Sequence, residues 1–503
     1  MLSEQENSKR IAKNTGYLYL RMILVVIINL ITSRLVLRAL GYEDYGTYSI
    51  VGSLVILFSF ISIAFKTASV RYISYEIGRG AEGDVSKVFS MVVNCHAILA
   101  AVTWLLLEIV GLWFINYHLQ VSPERLVAAN WVFQFSLLTV CTHILQMPFD
   151  ANIVAHERMN FYALISIVEA VLKLSIAVFL LYCLWDKLIV YGALLWIAAL
   201  LTMAGYVLYS RQKITDCHYQ RVWDKRLIRQ FAGYSGWTLY VNAADMANME
   251  GRAVLFNLFL NVVANAALGL ANQVYYAITM FMSSFSTAFN PQIVKSYAEG
   301  NHSYFERLIY SSSKLSFYLL LLPGLPLLLN IEYVLHLWLG DYPPITDKFI
   351  WAMFLYAVFD SFQAPLWHAV MATGQIRTHQ IMMGSIKLLV LPAAWWLLKN
   401  GDNGVGAILI WGIANIMCAI VRTIYCKHLF GLNIASYLKQ VVLPIVAVSL
   451  IAIPVPVALT CYMNIGWPAL LTTTAISTLM LAAAVYGVGL NHEEKVLVRG
   501  FIR

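Results

Sequence analysis

The chain has 503 residues, of which 60% are hydrophobic and only 12% charged, and it carries a formal net charge of +8. Soluble domains hold roughly 25% charged residues, so this composition excludes a soluble globular body. A span needs about 20 apolar residues to cross roughly 30 Å of hydrocarbon. Fourteen stretches qualify: 15–39, 45–70, 86–115, 125–149, 160–184, 188–210, 230–260, 264–291, 308–331, 349–372, 378–399, 403–426, 438–460 and 465–490. The expected fold class is an all-α polytopic membrane protein with about fourteen transmembrane helices and no soluble domain.

An ionisable group inside the bilayer is costly and calls for a reason. Span one carries Arg21 and Thr32 on one face and Arg34 and Arg38 on another. Arg21, about two turns into the apolar run, is a candidate to bind an anionic head group. The first apolar run lacks a cleavage-site pattern, so no signal peptide is expected. Span two gathers Gly52, Ser59, Ser62, Lys66 and Ser69 on one face. The serines suit close helix packing. Lys66 either snorkels to the inner interface or meets a substrate. His96 and His143 are lone histidines that suit core or interface packing. Glu169 and Lys173 in span five form an i,i+4 pair that neutralises itself.

Span seven holds the densest polar set. Tyr234, Thr238, Asn242, Asp245, Asn248 and Arg252 share about one-third of the helix circumference, and Glu250 lies off that face. This is either a cavity wall with Arg252 as its cation and Asp245 as partner or proton site, or a structural Asp–Arg pair. Span eight is apolar but bears a stripe of Asn265, Asn272, Tyr276, Thr279, Ser283, Ser286 and Asn290, spaced by three, four or seven. A helix facing only lipid has no use for such a stripe, whereas one lining a wet path through a bilayer does. Asp360, Lys387 and Arg422 are isolated on their own helices, spans ten, eleven and twelve, and each could pair across helices with a partner the sequence does not name. The candidate substrate contacts are therefore Arg21, Lys66, Asn242, Asn248, Arg252, Asn265, Asn272, Tyr276, Thr279 and Ser283. Asp245, Glu250 and Asp360 are the acids available to couple an ion, H+ or Na+.

Lys and Arg concentrate in the connections that face inward if the N-terminus is cytoplasmic, most densely at Arg211, Lys213, Arg221, Lys225, Arg226 and Arg229. By the positive-inside rule both termini are expected in the cytoplasm. This asymmetry accounts for the basic charge without any nucleic acid. The seven cysteines form no CxxC, and there is no HExxH or Walker A sequence. Neither metal, cofactor nor enzymatic activity is expected, and the outer connections are too short for a catalytic domain.

The segment before span one, Lys9-Arg10-Ile11-Ala12-Lys13-Asn14, resembles Lys225-Arg226-Leu227-Ile228-Arg229-Gln230 before span seven. Ser69-Val70-Arg71-Tyr72 likewise resembles Ile293-Val294-Lys295-Ser296. The repeat suggests an N-terminal lobe at 1–210, a basic linker at 211–229, a C-terminal lobe at 230–427, and two additional helices with a tail at 428–503. Repeated lobes are a common transporter plan.

Arg38-Ala39-Leu40-Gly41 with Tyr45-Gly46-Thr47-Tyr48, then Ala68-Ser69-Val70-Arg71-Tyr72, then Gly269-Leu270-Ala271-Asn272-Gln273-Val274 and Asn290-Pro291-Gln292-Ile293-Val294-Lys295-Ser296-Tyr297 carry a further signal. Through them the chain resembles the Wzx-type O-antigen and polysaccharide flippases of the multidrug/oligosaccharidyl-lipid/polysaccharide (MOP) exporter superfamily. The resemblance implies two six-helix lobes in a V around a central cavity, plus two C-terminal helices. It implies alternating-access transfer of an undecaprenyl-pyrophosphate-linked oligosaccharide across a bacterial cytoplasmic membrane, driven by an ion gradient. Membrane lipids, a polysaccharide polymerase and glycosyltransferases are the partners that come with it. The alternative is a MATE-like drug or metabolite efflux antiporter, which needs acids and aromatics where a flippase needs amides, hydroxyls and cations.

Overall fold

A computed structural model describes residues 2–56, 59–117, 123–215, 218–260 and 262–495. Cys217, Arg499 and Arg503 lie outside the described residues. The described chain is helical, with short connections and no strand among the described residues. It divides into two compact units, one of residues 12–239 and one of 240–503 together with 1–11.

The N-terminal unit is built from α1 (Leu2–Ile56), α2 (Ser59–Gly78), α3 (Val85–Tyr117), α4 (Leu126–Ala155), α5 (Met159–Tyr182), α6 (Lys187–Lys213) and the first turns of α7 (Lys225–Phe259). α1 runs through the expected first loop but breaks at Gly41, whose φ of 76° and ψ of 176° are not helical. Only glycine adopts such a backbone without strain, so this residue ends span one. α4 is the centre of the unit and packs against α2, α3 and α6. Its fully buried Val132, Phe133 and Leu137 meet Leu107 and Leu188. Just before α4 begins, Arg125 bonds Asp44 and also Asp186 at 2.7 Å, and Asp186 caps α6 through the amides of Leu188 and Ile189.

The C-terminal unit continues α7 and adds α8 (Val262–Ala298), α9 (His302–Leu329), α10 (Ile331–Leu339), α11 (Thr346–Thr373), α12 (Arg377–Leu388), α13 (Val390–Lys399), α14 (Val405–Phe430), α15 (Ile434–Tyr437), α16 (Leu443–Ala452), α17 (Pro454–Tyr462) and α18 (Trp467–Ala484). Here α11 is central and packs on α8, α9 and α14. Lipid tails are as apolar as leucine, so helices associate in a bilayer through close packing rather than water exclusion. The face of α8 buried in the unit fits that rule, with Ala264, Ala267, Ala271 and Ala288 among Leu268, Val274, Ile278 and Phe289. α18 is tied to α9 at two places, by Asn330 Nδ2 to Thr473 Oγ1 at 2.7 Å and, beyond its C-terminus, by the buried Lys314–Glu494 pair at 2.8 Å.

Eleven helical stretches among the described residues are long and apolar enough to cross a membrane. The three expected spans that miss this measure are 45–70, 230–260 and 264–291, those that carry the polar faces. α7 and α8 are continuous helices of 35 and 37 residues, roughly 50 Å each at 1.5 Å per residue. They are long enough to span, and it is their polar side chains that lower their hydropathy.

The described stretch 218–224 of the connection is packed against α3. Its Tyr219 hydroxyl donates to Asn94 Oδ1 at 3.0 Å, Asn94 Nδ2 donates to the Val222 carbonyl at 3.1 Å, and the Gln220 amide donates to Ser90 Oγ at 2.8 Å. Asp224 then pairs with Lys87 at 3.0 Å and accepts the Leu227 and Arg226 amides as the cap of α7. The Leu227 amide, then Lys87, hold its carboxyl below the usual carboxylate range.

Candidate functional site

Each unit carries its own cluster of intramembrane charge. In the C-terminal unit, α7 supplies the core of the cluster because residues three, four and seven apart share a helix face. Asp245 forms an ion pair with Lys387 of α12, Oδ2 to Nζ 2.7 Å. This supplies the cross-helix partner that the sequence left unnamed for Lys387, and corrects one expectation: the ion-pair partner of Asp245 is Lys387 rather than Arg252. Asn248 is buried and donates from Nδ2 to the Lys387 carbonyl at 2.8 Å and to the Ala244 carbonyl at 2.9 Å. Its own carbonyl accepts Arg252 Nε at 3.0 Å.

Arg252 is 2% exposed. Its guanidinium stacks 4.1 Å from the Trp411 ring of α14, and Trp411 in turn stacks on Tyr356 at 3.7 Å. Tyr275 packs edge-on to both rings. Arg252 Nη1 is buried with no hydrogen-bond partner, and no carboxylate pairs with it among the described residues. A buried cation without an ion partner is strongly disfavoured. Cation–π stacking, worth about 2 kcal/mol or more at a desolvated site, offsets part of that cost.

The remaining candidates of this unit are spread more widely. Asn242 of α7 and Asn272 of α8 are half-buried and make no hydrogen bond among the described residues. Tyr276 is 47% exposed and its hydroxyl donates to Met249 Sδ at 2.9 Å. Thr279 and Ser283 donate to carbonyls of their own helix, Tyr275 and Met280. Ser286 meets His368 Nε2 at 2.7 Å. The side chain of Asn265 lies outside the described ones. Glu250 is exposed and unpaired among the described residues. Asp360 is half-buried, and its charged neighbours are Arg422, Lys387 and Asp245. Arg422 donates to His379 Nε2 and the Gln363 carbonyl, both at 3.3 Å.

In α8, then, the residues buried between 264 and 289 are apolar apart from Ser284, and the described members of the stripe fall on positions its own unit leaves half or fully open. In a cysteine-free background, cysteines at 272, 276 and 283 are expected to react with a membrane-impermeant thiol reagent. Cysteines at 271 and 278, on the packed face, are expected to be protected. Equal labelling of the two sets ends the assignment of α8 to a wet path.

In the N-terminal unit Lys66 pairs with Asp150 of α4 at 2.5 Å. Arg21 lies 4.8 Å from the Tyr162 ring centroid, and Lys66 lies 5.7 Å from the same ring. Lys173 and Glu169 bond each other at 2.6 Å. Of these three cations Arg21 is the one without an acid of its own among the described residues, and its Nε is buried with no hydrogen-bond partner among them. Sequence reading missed Asp150, which sits one residue beyond the expected end of span four, and the rings Tyr162 and Trp411. The acid had a signal, since a carboxylate at a span edge is unusual. The aromatic residues had none, because stacking leaves no trace in a local pattern.

Solved structures share this architecture. A crystal structure of MATE in complex with MaL6 matches with a TM-score of 0.70, covering 86% of this chain and 97% of its own at 14% identity. A MOP superfamily transporter from Pyrococcus furiosus gives 0.72 over 86% and 96% at 13% identity. The Vibrio cholerae MATE transporter VcmN in the bent form gives 0.68 over 88% and 100% at 14% identity. The class is therefore an all-α, multi-pass membrane protein with the MATE fold. Within that class the chain belongs to the polysaccharide biosynthesis protein family, whose model matches residues 11–297. It is also 21% identical, over 480 residues and 92% of each chain, to the uncharacterized membrane protein EpsK of Bacillus subtilis (strain 168).

Proposed function

We propose that this protein is a flippase that moves an undecaprenyl-pyrophosphate-linked oligosaccharide from the inner to the outer leaflet of a bacterial cytoplasmic membrane. It works by alternating access, with an H+ or Na+ gradient as the energy source and both termini in the cytoplasm. The observation that carries this reading is Arg252, a buried guanidinium with an unsatisfied N–H and no ion partner among the described residues. Such a group is made whole by an anion, and a pyrophosphate supplies one with oxygens that suit the guanidinium fork. Asn242, Asn272, Tyr276, Thr279 and Ser283 supply the amides and hydroxyls that suit a glycan. Arg21 and Lys66 add cations in the N-terminal unit. Membership in the polysaccharide biosynthesis family supports the substrate class.

The efflux reading draws on the acids. It is weakened by Asp245 being taken by Lys387 and by Asp360 having Arg422 and Lys387 as neighbours, which leaves the exposed Glu250 as the one remaining candidate acid for a cationic drug. The deciding experiment is made in cells lacking the gene. Undecaprenyl-pyrophosphate-linked glycan is expected to accumulate on the cytoplasmic face and to clear when the gene is restored. Unchanged lipid-linked glycan together with altered drug sensitivity moves the assignment to efflux.

A further inference from the structure

Arg252 and Asp245 stand two turns apart on one face of α7, about 10 Å along the axis at 1.5 Å per residue. An extended arginine and an aspartate reach across much of that distance, so the two are potential partners. The structure keeps them apart because Asp245 is held by Lys387, Nζ to Oδ2 2.7 Å. Lys387 is well placed to do this. It lies at the end of α12, where span eleven breaks at Leu389 before α13 begins. Pro392 follows, with no N–H to donate back to the carbonyl of Leu388. The carbonyl of Lys387 takes the Asn248 side-chain amide at 2.8 Å, which registers α12 against the same turn of α7.

Close packing fixes that register. A methyl group on Gly384 would lie 2.2 Å from the Tyr240 ring, and one on Gly251 would lie 2.8 Å from a Leu391 methyl. α7 therefore touches α12 before the break and α13 after it. The other charged and titratable groups around the pair are Asp360, Arg422, His379, Cys418, Tyr275 and Tyr356. Among the described residues no carboxylate other than Asp245 shares the polar face of α7 with Arg252.

We propose that Lys387 is a positioning residue that sequesters Asp245, so that Arg252 keeps its charge free for an anionic substrate. Lys387 itself touches no substrate. Its ammonium occupies the one carboxylate on that face able to neutralise Arg252. Removing the ammonium releases Asp245 to compete with the incoming anion, while removing both charges lifts the competition. The inference rests on the reading of Arg252 as an anion site.

The test uses the purified full-length chain in lipid nanodiscs, with inorganic pyrophosphate as the probe and calorimetry as the readout. Melting temperature is measured in parallel. Arg252→Ala is expected to lose binding. Lys387→Gln is expected to bind about tenfold more weakly than wild type, the size of one charge competing across two helical turns at an effective dielectric of about 20. Lys387→Arg is expected to retain binding, because it preserves the cation. The double variant Asp245→Asn/Lys387→Gln is expected to recover wild-type affinity, which a merely structural role of Lys387 does not predict. If Arg252→Ala binds pyrophosphate as wild type does, the anion-site reading itself falls. If Arg252→Ala loses binding while Lys387→Gln keeps it, only the sequestration is overturned. A double variant as weak as Lys387→Gln also overturns it. That double variant leaves neither member of the Lys387–Asp245 pair without its partner, so it remains measurable if Lys387→Gln misfolds.

Discussion

Replacing Arg252 by alanine is expected to abolish glycan export at an unchanged level of protein in the membrane, and replacing it by lysine to retain a fraction. Truncating one partner of a buried, hydrogen-bonded charge pair costs about 2–5 kcal/mol, or about thirty- to several-thousand-fold in affinity. Lysine preserves the charge but loses the planar fork and the stacking on Trp411. The effect on folding has a different sign. In the substrate-free protein Arg252 is buried without an ion partner among the described residues, so removing it relieves a desolvation cost. The alanine variant is therefore expected to melt no lower than a control truncation in the apolar core such as Leu268→Ala. Lipid-linked glycan on the inner face and melting temperature report the two effects separately. Wild-type export by the alanine variant removes Arg252 from the site.

Lys66 gives the second large effect, on stability. Its partner Asp150 has a side chain only 10% exposed, and Asp150 Oδ1 already lacks a hydrogen bond. Lys66→Met leaves that carboxylate buried and unpaired, a change worth 3–5 kcal/mol in the general case. Because the Lys66 side chain is 33% exposed, a value near 3 kcal/mol is expected. The double variant Lys66→Met/Asp150→Leu replaces both charges with apolar groups and is expected to regain most of the loss. A Lys66→Met protein as stable as wild type sinks this account. The double variant also separates two roles of Lys66. A stable double variant that no longer exports places Lys66 in contact with substrate, and one that exports normally makes it a neutralising partner of Asp150 alone.

What the amino-acid order made legible follows from how local each signal is. An apolar run of about 20 residues reports a membrane helix by itself, so α3, α5, α6, α14 and α18 fall close to their expected places. A polar period of three and four reports a helix face by itself. Asn272, Tyr276 and Ser283 accordingly lie on the side of α8 that its own unit does not bury. Family membership was legible for a related reason, since short motifs at span ends survive in sequence. The break at Gly41 was partly legible, because a glycine between two apolar runs is a stop signal, although the helices on either side run closer to it than expected.

The pairing of charges was not legible, and it is what gives the candidate site its character. Lys387 and Asp245 are 142 residues apart, and Lys66 and Asp150 are 84 apart. No local periodicity links such positions, and a carboxylate in a membrane helix reads the same whether it is free or neutralised. The sequence by itself determined the class of protein, the number and approximate bounds of the apolar helices, and which residues bear charge or hydroxyls within them. Only the tertiary structure decided that Asp245 belongs to Lys387, that Asp150 belongs to Lys66, and that Arg252 rests on Trp411 without an acid among the described residues. Coulombic attraction in a low-dielectric interior is decided by contact at a few ångströms, and those contacts are set by how helices distant in sequence pack.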